Sequence, residues 1–290
     1  MNSAHAIHNP KLIVVAGPTA VGKTAYAVQL ACSLGTEILS CDSRQFYHEM
    51  NIGVARPSDD ELAAARHHFV ACRSVTEPYN IYDYHRDAWR LLGDLFASRS
   101  TVVACGGSGL YIDALLAEPA RMPDPTPELR ARLQQMPLEE KQAQLKLLDP
   151  DYYSHVDLRN PVRLQRALEV CLTAGRPYSA VVADHSASPR PFEVEIRVLQ
   201  MSPDELRRRI DSRVDTMMAA GLLDEVRSLL PFRRLSTLHT VGYRELFAAI
   251  DGTDTLEHAV EQIKLNTWHY ARKQLTWLRR YSSAVHISPV

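Results

Sequence analysis

"GPTAVGKT", Gly17 to Thr24, follows the apolar run Leu12–Ala16 and precedes an amphipathic stretch, Ala25–Leu34. It fits G-x-x-x-x-G-K-[ST], a loop whose backbone N–H groups wrap a diphosphate at the start of a helix. Lys23 is placed to reach the terminal phosphate, and the Thr24 hydroxyl to ligate Mg²⁺. The strand before and the helix after separate this reading from a chance Gly-containing turn. The motif alone leaves the chemistry open, because nucleotide hydrolysis and a transfer that only grips diphosphate can begin the same way.

Outward from the loop, "EILS", "HHFVAC", "TVVACGG" and "FEVEIRVL" read as buried strands like "KLIVVA". Helical patterns at Tyr82–Ala97 and Gly109–Ala117 alternate with them, which predicts a parallel, doubly wound sheet with right-handed crossovers. The site then lies at the carboxyl edge of that sheet. At "EPARMPDPTPE", Glu118–Glu128, the rhythm changes. Helical patterns alone run from Pro127 to about Val182, including Pro137–Leu148 and Pro161–Ala174, and "SASPRPFE" leads back to a strand. Beyond it come helical patterns at Asp204–Ala219, Leu222–Leu230 and Thr255–Tyr281. The expected fold is α/β, a P-loop NTPase-like sheet core with a helical insertion. Residues 1–117 and 192–290 form the core and 118–191 the insertion.

The 290 residues carry 33 Lys and Arg against 34 Asp and Glu, a net charge of −1, which argues against a globally basic nucleic-acid binder but not a local basic track. Five scattered cysteines show no metal-ligand spacing and read as reduced thiols. "MNSAHAIHNP" has no apolar core, and no run approaches a membrane span, so a cytoplasmic protein without a membrane partner is expected.

Three further groups are candidates. Asp42, in "SCDSRQFY", falls at the end of the second strand, where a carboxylate near Mg²⁺–diphosphate serves as ligand or general base; capping the following turn explains it equally well. Ser108, in "GGSGLY", offers a hydroxyl at a helix start, although a glycine-rich turn accounts for the segment too. Arg207, Arg208, Arg209 and Arg213, then Lys264, Arg272, Lys273, Arg279 and Arg280 interleaved with Trp268, Tyr270, Trp277 and Tyr281, suit phosphate and base contacts or a solvated face with aromatic anchors. No apolar strand ending in the Mg²⁺-binding Asp of nucleotide hydrolases stands out after "TVVACGG".

Taken together, "GPTAVGKT", "DSRQFYHEMNIGVARP", "GGSGLY", "RLQRALEV", "RVDTMMAAGLLDEV", "VGYRE" and "RKQLTWLR" resemble, in order, the tRNA dimethylallyltransferases, from Leu12 to Arg279. That resemblance implies prenyl transfer from dimethylallyl diphosphate to the exocyclic amine of the adenine at tRNA position 37, with Mg²⁺ as cofactor. It implies a donor-diphosphate site at Gly17, Pro18, Thr19, Ala20, Val21, Gly22, Lys23 and Thr24, with Thr24 on the metal. Asp42, Ser108 and Arg213 match catalytic positions, Asp42 as general base and Arg213 on the diphosphate. It places the tRNA anticodon stem-loop on Asp42, Ser43, Arg44, Gln45 and Ser108, and on Arg130, Val162, Arg163, Leu164, Gln165 and Arg166 of the insertion. A third contact segment is His239, Thr240, Val241, Gly242, Tyr243 and Arg244. Ser108 stands where the family usually has Thr, Val54 where it often has a hydroxyl, and Val162 where Gln is frequent. With no Cys/His zinc finger after the last helix, the chain is similar to the compact bacterial type, and a monomer is expected.

Overall fold

The computed structural model describes residues 9–185 and 189–288; the N-terminal stretch and part of "SASPRPFE" lie outside the described residues. The chain divides into two compact units, Met1–Leu116 with Arg190–Val290, and Ala117–Pro189.

The first unit opens with β1 (Lys11–Ala16), α1 (Lys23–Leu34), β2 (Ile38–Ser40), α2 (Asp59–Ala64), β3 (His67–His68), α3 (Ile81–Phe96), β4 (Thr101–Gly106) and α4 (Gly109–Leu116). All strand pairs are parallel, and the sheet order is β3-β2-β4-β1-β5-β6, with β5 at Glu193–Leu199 and β6 at Val285–Ile287. The central strands are apolar at nearly every position because both sheet faces are covered. Leu12, Val14, Val102 and Ala104 pack in one cluster with Tyr84, Ala88 and Leu92 of α3. Val15 and Val103 point the other way, to Ala27 and Ala31 of α1. The helix α3 starts at a capping box, in which Asn80 accepts from the Tyr82 and Asp83 amides and Asp83 accepts from the Asn80 amide.

"HHFVAC" departs from expectation, since only His67 and His68 stay in the sheet. Phe69 turns to φ 60° and Ala71 to φ 46°. The Phe69 ring then packs edge-on against Phe46 and Tyr84, while Ala71 and Cys72 donate to the Gln45 and Phe46 carbonyls. Burial of the ring outweighs continuation of an edge strand.

In the second unit, α5 (Pro127–Gln135), α6 (Leu138–Leu148), α7 (Pro150–Tyr153), α8 (Pro161–Ala174) and α9 (Tyr178–Ala183) close over Leu133, Leu145, Leu164, Ala167 and Leu168. Asp149, 1% exposed, accepts from the Tyr152 amide and from the amide and hydroxyl of Ser179, tying α7 to α9. The first unit resumes with β5, then α10 (Pro203–Ala219), α11 (Leu222–Ser228), α12 (Tyr243–Ile250) and α13 (Leu256–Leu278), and β6 adds an edge strand that the sequence reading did not foresee.

Candidate active site

The loop after β1 has the geometry its glycines predict. Gly22 sits at φ 96° ahead of α1, a left-handed turn that sends the helix N-terminus into the loop. Ala20 is held at φ 66° without being glycine, and such strain persists where surrounding structure enforces it. The Lys23 ammonium donates to the Pro18 carbonyl at 2.7 Å. Burial lowers its pKa and Arg213 adds to this, while Asp42 and the thiols Cys105 and Cys41 act in the opposite sense. Those thiols are no rival nucleophiles, because burial holds Cys105 up at about 12 and Cys41 well above its ordinary value.

Asp42 both caps and faces the cavity. Its Oδ1 accepts from the Arg44 amide at 3.0 Å, closing an Asx turn. Its Oδ2 receives no hydrogen bond from the described residues. The Ser108 hydroxyl accepts from the Ser43 amide at 3.2 Å and lies 3.4 Å from the Ser43 hydroxyl, so it braces this turn from the end of β4.

A cavity of about 220 Å³ opens between these groups. Thr19, Asp42, Ser43, Arg44 and Arg213 form its polar side, while Val54, Met217, Leu222 and Ile263 form an apolar floor. Arg213 also borders the outer face of the loop beside Gly22, Lys23 and Thr24. Burial lowers the pKa of its guanidinium, Arg209 adds repulsion, and Glu61 compensates in part. Arg213 has no ion pair or hydrogen bond among the described residues. A half-buried cation without a protein partner, beside a second half-buried cation, is chemically suited to an anion.

Glu225 and Glu245, which help build this site, escaped the sequence reading. The Glu225 carboxylate accepts from the amides of Asn51, Ile52 and Gly53 at 2.7–3.0 Å and from the Tyr243 hydroxyl at 2.6 Å, fixing the strip that carries Val54. Glu245 accepts from the Gly242 amide and from Asn266, shaping the wall at Thr240–Gly242. Tyr270 lines the cavity with its hydroxyl beside Ser108 and Gln274, and burial raises its pKa to about 12. From the same helix, Trp277 lies against Gly109, and Trp268 packs with the cluster under the loop. Trp268 and Trp277 are packed anchors, whereas Tyr270 is 40% exposed and lines the cavity.

Other expected contact residues divide. His239 and Arg244 are exposed, and Thr240, Val241 and Gly242 line the cavity. Gln45 is committed internally, accepting from Ser40 and donating to the Ala55 carbonyl. Arg130, Val162, Arg163, Gln165 and Arg166 belong to the second unit, where Arg130, Gln165 and Arg166 surround Glu169. Leu164 and Tyr243, expected to face RNA, require correction. Both side chains are fully buried, Leu164 in the core of its unit and Tyr243 with its hydroxyl on Glu225.

For Mg²⁺, the described residues hold no cluster of three or more His, Cys, Asp or Glu side chains placed to ligate a metal. The Thr24 hydroxyl at the helix start does fit this ion, which is commonly held by one or two protein oxygens together with phosphate oxygens and water.

The parallel sheet and the loop after β1 define a P-loop NTPase-like α/β protein. The family described as IPP transferase matches residues 45–281. A tRNA dimethylallyltransferase from Flavobacterium johnsoniae is 43% identical over 279 residues, covering 93% of this chain and 90% of its own. A tRNA dimethylallyltransferase 1 from Bacteroides thetaiotaomicron is 43% identical over 275 residues, covering 93% of this chain and 89% of its own. The crystal structure of the tRNA isopentenylpyrophosphate transferase from Bacillus halodurans superposes with a TM-score of 0.70 at 30% identity, covering 96% and 89% of the two chains. A eukaryotic dimethylallyltransferase crystallised acting on tRNA shares the fold, with a TM-score of 0.81 at 22% identity over 96% of this chain and 74% of that one. The chain belongs to the IPP transferase family.

Proposed function

We propose that this chain is a tRNA dimethylallyltransferase that moves the prenyl group of dimethylallyl diphosphate to the exocyclic amine of adenine 37. The observation that carries this reading is the unpaired Arg213, with Lys23 beyond it, opening onto a cavity that has an apolar floor and Asp42 on its wall.

Diphosphate lies against the loop amides, Lys23 and Arg213; the prenyl group takes the apolar floor. The acceptor amine is a poor nucleophile because its lone pair is delocalised into the ring. Asp42 Oδ2 takes the amine proton as the carbon–nitrogen bond forms and the carbon–oxygen bond to diphosphate breaks. Lys23 and Arg213 meet the charge developing on the leaving group. Mg²⁺, when held by Thr24 with the diphosphate, supplies further charge neutralisation there. The adenine leaves its stack at a cost of a few kcal/mol, and anticodon-loop bases are already partly splayed. Enclosure limits hydrolysis of the allylic centre. Arg130, Arg163, Arg166, His239 and Arg244 are the proposed backbone contacts, and free thiols together with a tRNA substrate support a cytoplasmic setting, with the chain acting as a monomer.

The test incubates the protein with Mg²⁺, labelled dimethylallyl diphosphate and unmodified tRNA bearing adenines at 36 to 38, with AMP and ATP as parallel acceptors. Label in an isopentenyl-adenosine from digested tRNA is expected. Label confined to free nucleotide, or phosphate released from ATP without label transfer, refutes the reading.

A further inference from the structure

The motif "RKQLTWLR" contains a residue with no part in the chemistry above. Gln274 is 6% exposed and stands on the inward face of α13 with Ala271 and Leu278. Its Oε1 accepts from the Thr19 amide at 2.8 Å, and its Nε2 donates to the Gly107 carbonyl at 2.9 Å. The first contact seizes a backbone N–H of the phosphate loop itself. The second holds the turn that carries Ser108, which in turn braces Ser43 beside Asp42. The fit is close, since a Cβ on Gly107 would lie 2.2 Å from the Gln274 Nε2. One side chain thus spans the donor loop and the turn that supports the base.

Two consequences follow from this geometry. The Thr19 amide is engaged by Gln274, while Thr19 lines the cavity and Gly22, Lys23 and Thr24 remain at the helix start. The spacing between the loop and the Ser108 turn is set by a carboxamide that must be acceptor and donor at once. We propose that Gln274 is a positioning residue that locks the phosphate loop in register with the Ser108–Ser43–Asp42 turn. Its effect on transfer rests on the function proposed above; its effect on the loop does not.

The variants Gln274→Met and Gln274→Glu separate register from packing. Methionine keeps the bulk and loses both hydrogen bonds. Glutamate keeps the acceptor at high pH and regains a donor when protonated, which burial favours. Groups facing this site are Tyr270 on the same helix, Asp42 and Arg44 near that tyrosine, and Lys23 near Asp42. All are present in the wild type, so the ratio of variant to wild type at each pH removes their titration.

Label transfer to tRNA and calorimetric binding of inorganic pyrophosphate are measured from pH 6 to 8, with thermal melting as a control for folding. Gln274→Met loses both bonds and is expected to weaken pyrophosphate binding through the freed Thr19 amide and to lower kcat through the freed Gly107 carbonyl, each roughly tenfold, the factor for one buried hydrogen bond left unmade. Gln274→Glu shows the same defect at pH 8, and its ratio to wild type recovers toward pH 6. A ratio that does not change with pH, or a Gln274→Met variant equal to wild type in both measurements, overturns the proposal. A wild type that transfers no label refutes the function instead, and pyrophosphate binding then decides the role of Gln274 alone.

Discussion

Replacing Asp42 by asparagine separates its two roles. Its Oδ1 holds the Arg44 amide at 3.0 Å, and the asparagine carbonyl can keep that bond and the Asx turn it closes. What asparagine removes is a charged oxygen able to accept a proton. A positioned general base contributes about 10²–10⁴-fold, so turnover should fall by that factor, about 3–5 kcal/mol of barrier. Alanine loses the turn as well, costing a further ~1 kcal/mol of stability for one amide left without its acceptor. Asparagine should therefore melt like wild type while alanine melts a few degrees lower. Because Asp42 opposes the charge of a bound diphosphate, pyrophosphate should bind either variant at least as well as wild type. The assay is single-turnover label transfer beside calorimetry with pyrophosphate. Asparagine retaining turnover within tenfold of wild type would show that Asp42 is a cap and not the base.

Arg213→Met should lower kcat/KM for the donor by about 10²–10³, as for loss of one preorganised charge donor. It should also raise stability by ~1 kcal/mol in denaturant melts, because an unpaired, half-buried guanidinium is removed. Glu225→Gln turns an amide NH₂ toward at least one pair of its four donors, which predicts ~2–4 kcal/mol of lost stability and a melting point lower by roughly 5–10 °C by calorimetry. At the far edge of the sheet, burial pushes the Glu37 carboxyl up, but His68, Arg99 and Arg66 outweigh it and hold it below its ordinary 4.5. The stability it contributes is present above pH 4.5 and is lost as pH falls through the lower folded value, so Glu37→Gln should flatten the acid limb of the melting curve.

The sheet was legible because its central strands are buried on both faces and so read as unbroken apolar runs, and because the phosphate loop declares a strand on one side and a helix on the other. Asp42, Lys23 and Arg213 were legible as candidates: Lys23 from the loop motif, Asp42 from its place at the end of β2, and Arg213 from the family resemblance. Gln274 and Glu225 were not. Their roles depend on which backbone amides remain unpaired after folding, and the Gln274 partner, Thr19, is 255 residues away. Leu164 and Tyr243 were misplaced for a different reason. A contact segment carried over whole ignores helical phase, and Leu164 shares an inward face with Ala167 and Leu168. In "HHFVAC" the apolar run was real, but the Phe69 ring was drawn to Phe46 and Tyr84 rather than to the sheet.

The same packing explains how a loop typical of nucleotide hydrolases suits group transfer to an organic acceptor. Those enzymes hold Mg²⁺ with an Asp from a second strand element. Here β4 flanks β1 and ends at Gly106, with Gly107 and Ser108 following in the turn. A Cβ on Gly106 would lie 2.6 Å from the Cys41 backbone, and one on Gly107 would meet Gln274 at 2.2 Å. No carboxylate can be built at either position without displacing its neighbours. The acidic group stands one strand further out, at Asp42 after β2, about 10 Å from β1 by two strand spacings. A carboxylate at the metal would crowd the space an acceptor needs. Set two strands away across a cavity, it would leave room in the proposed reaction for an adenine amine between itself and the diphosphate, as a general base for alkylation requires.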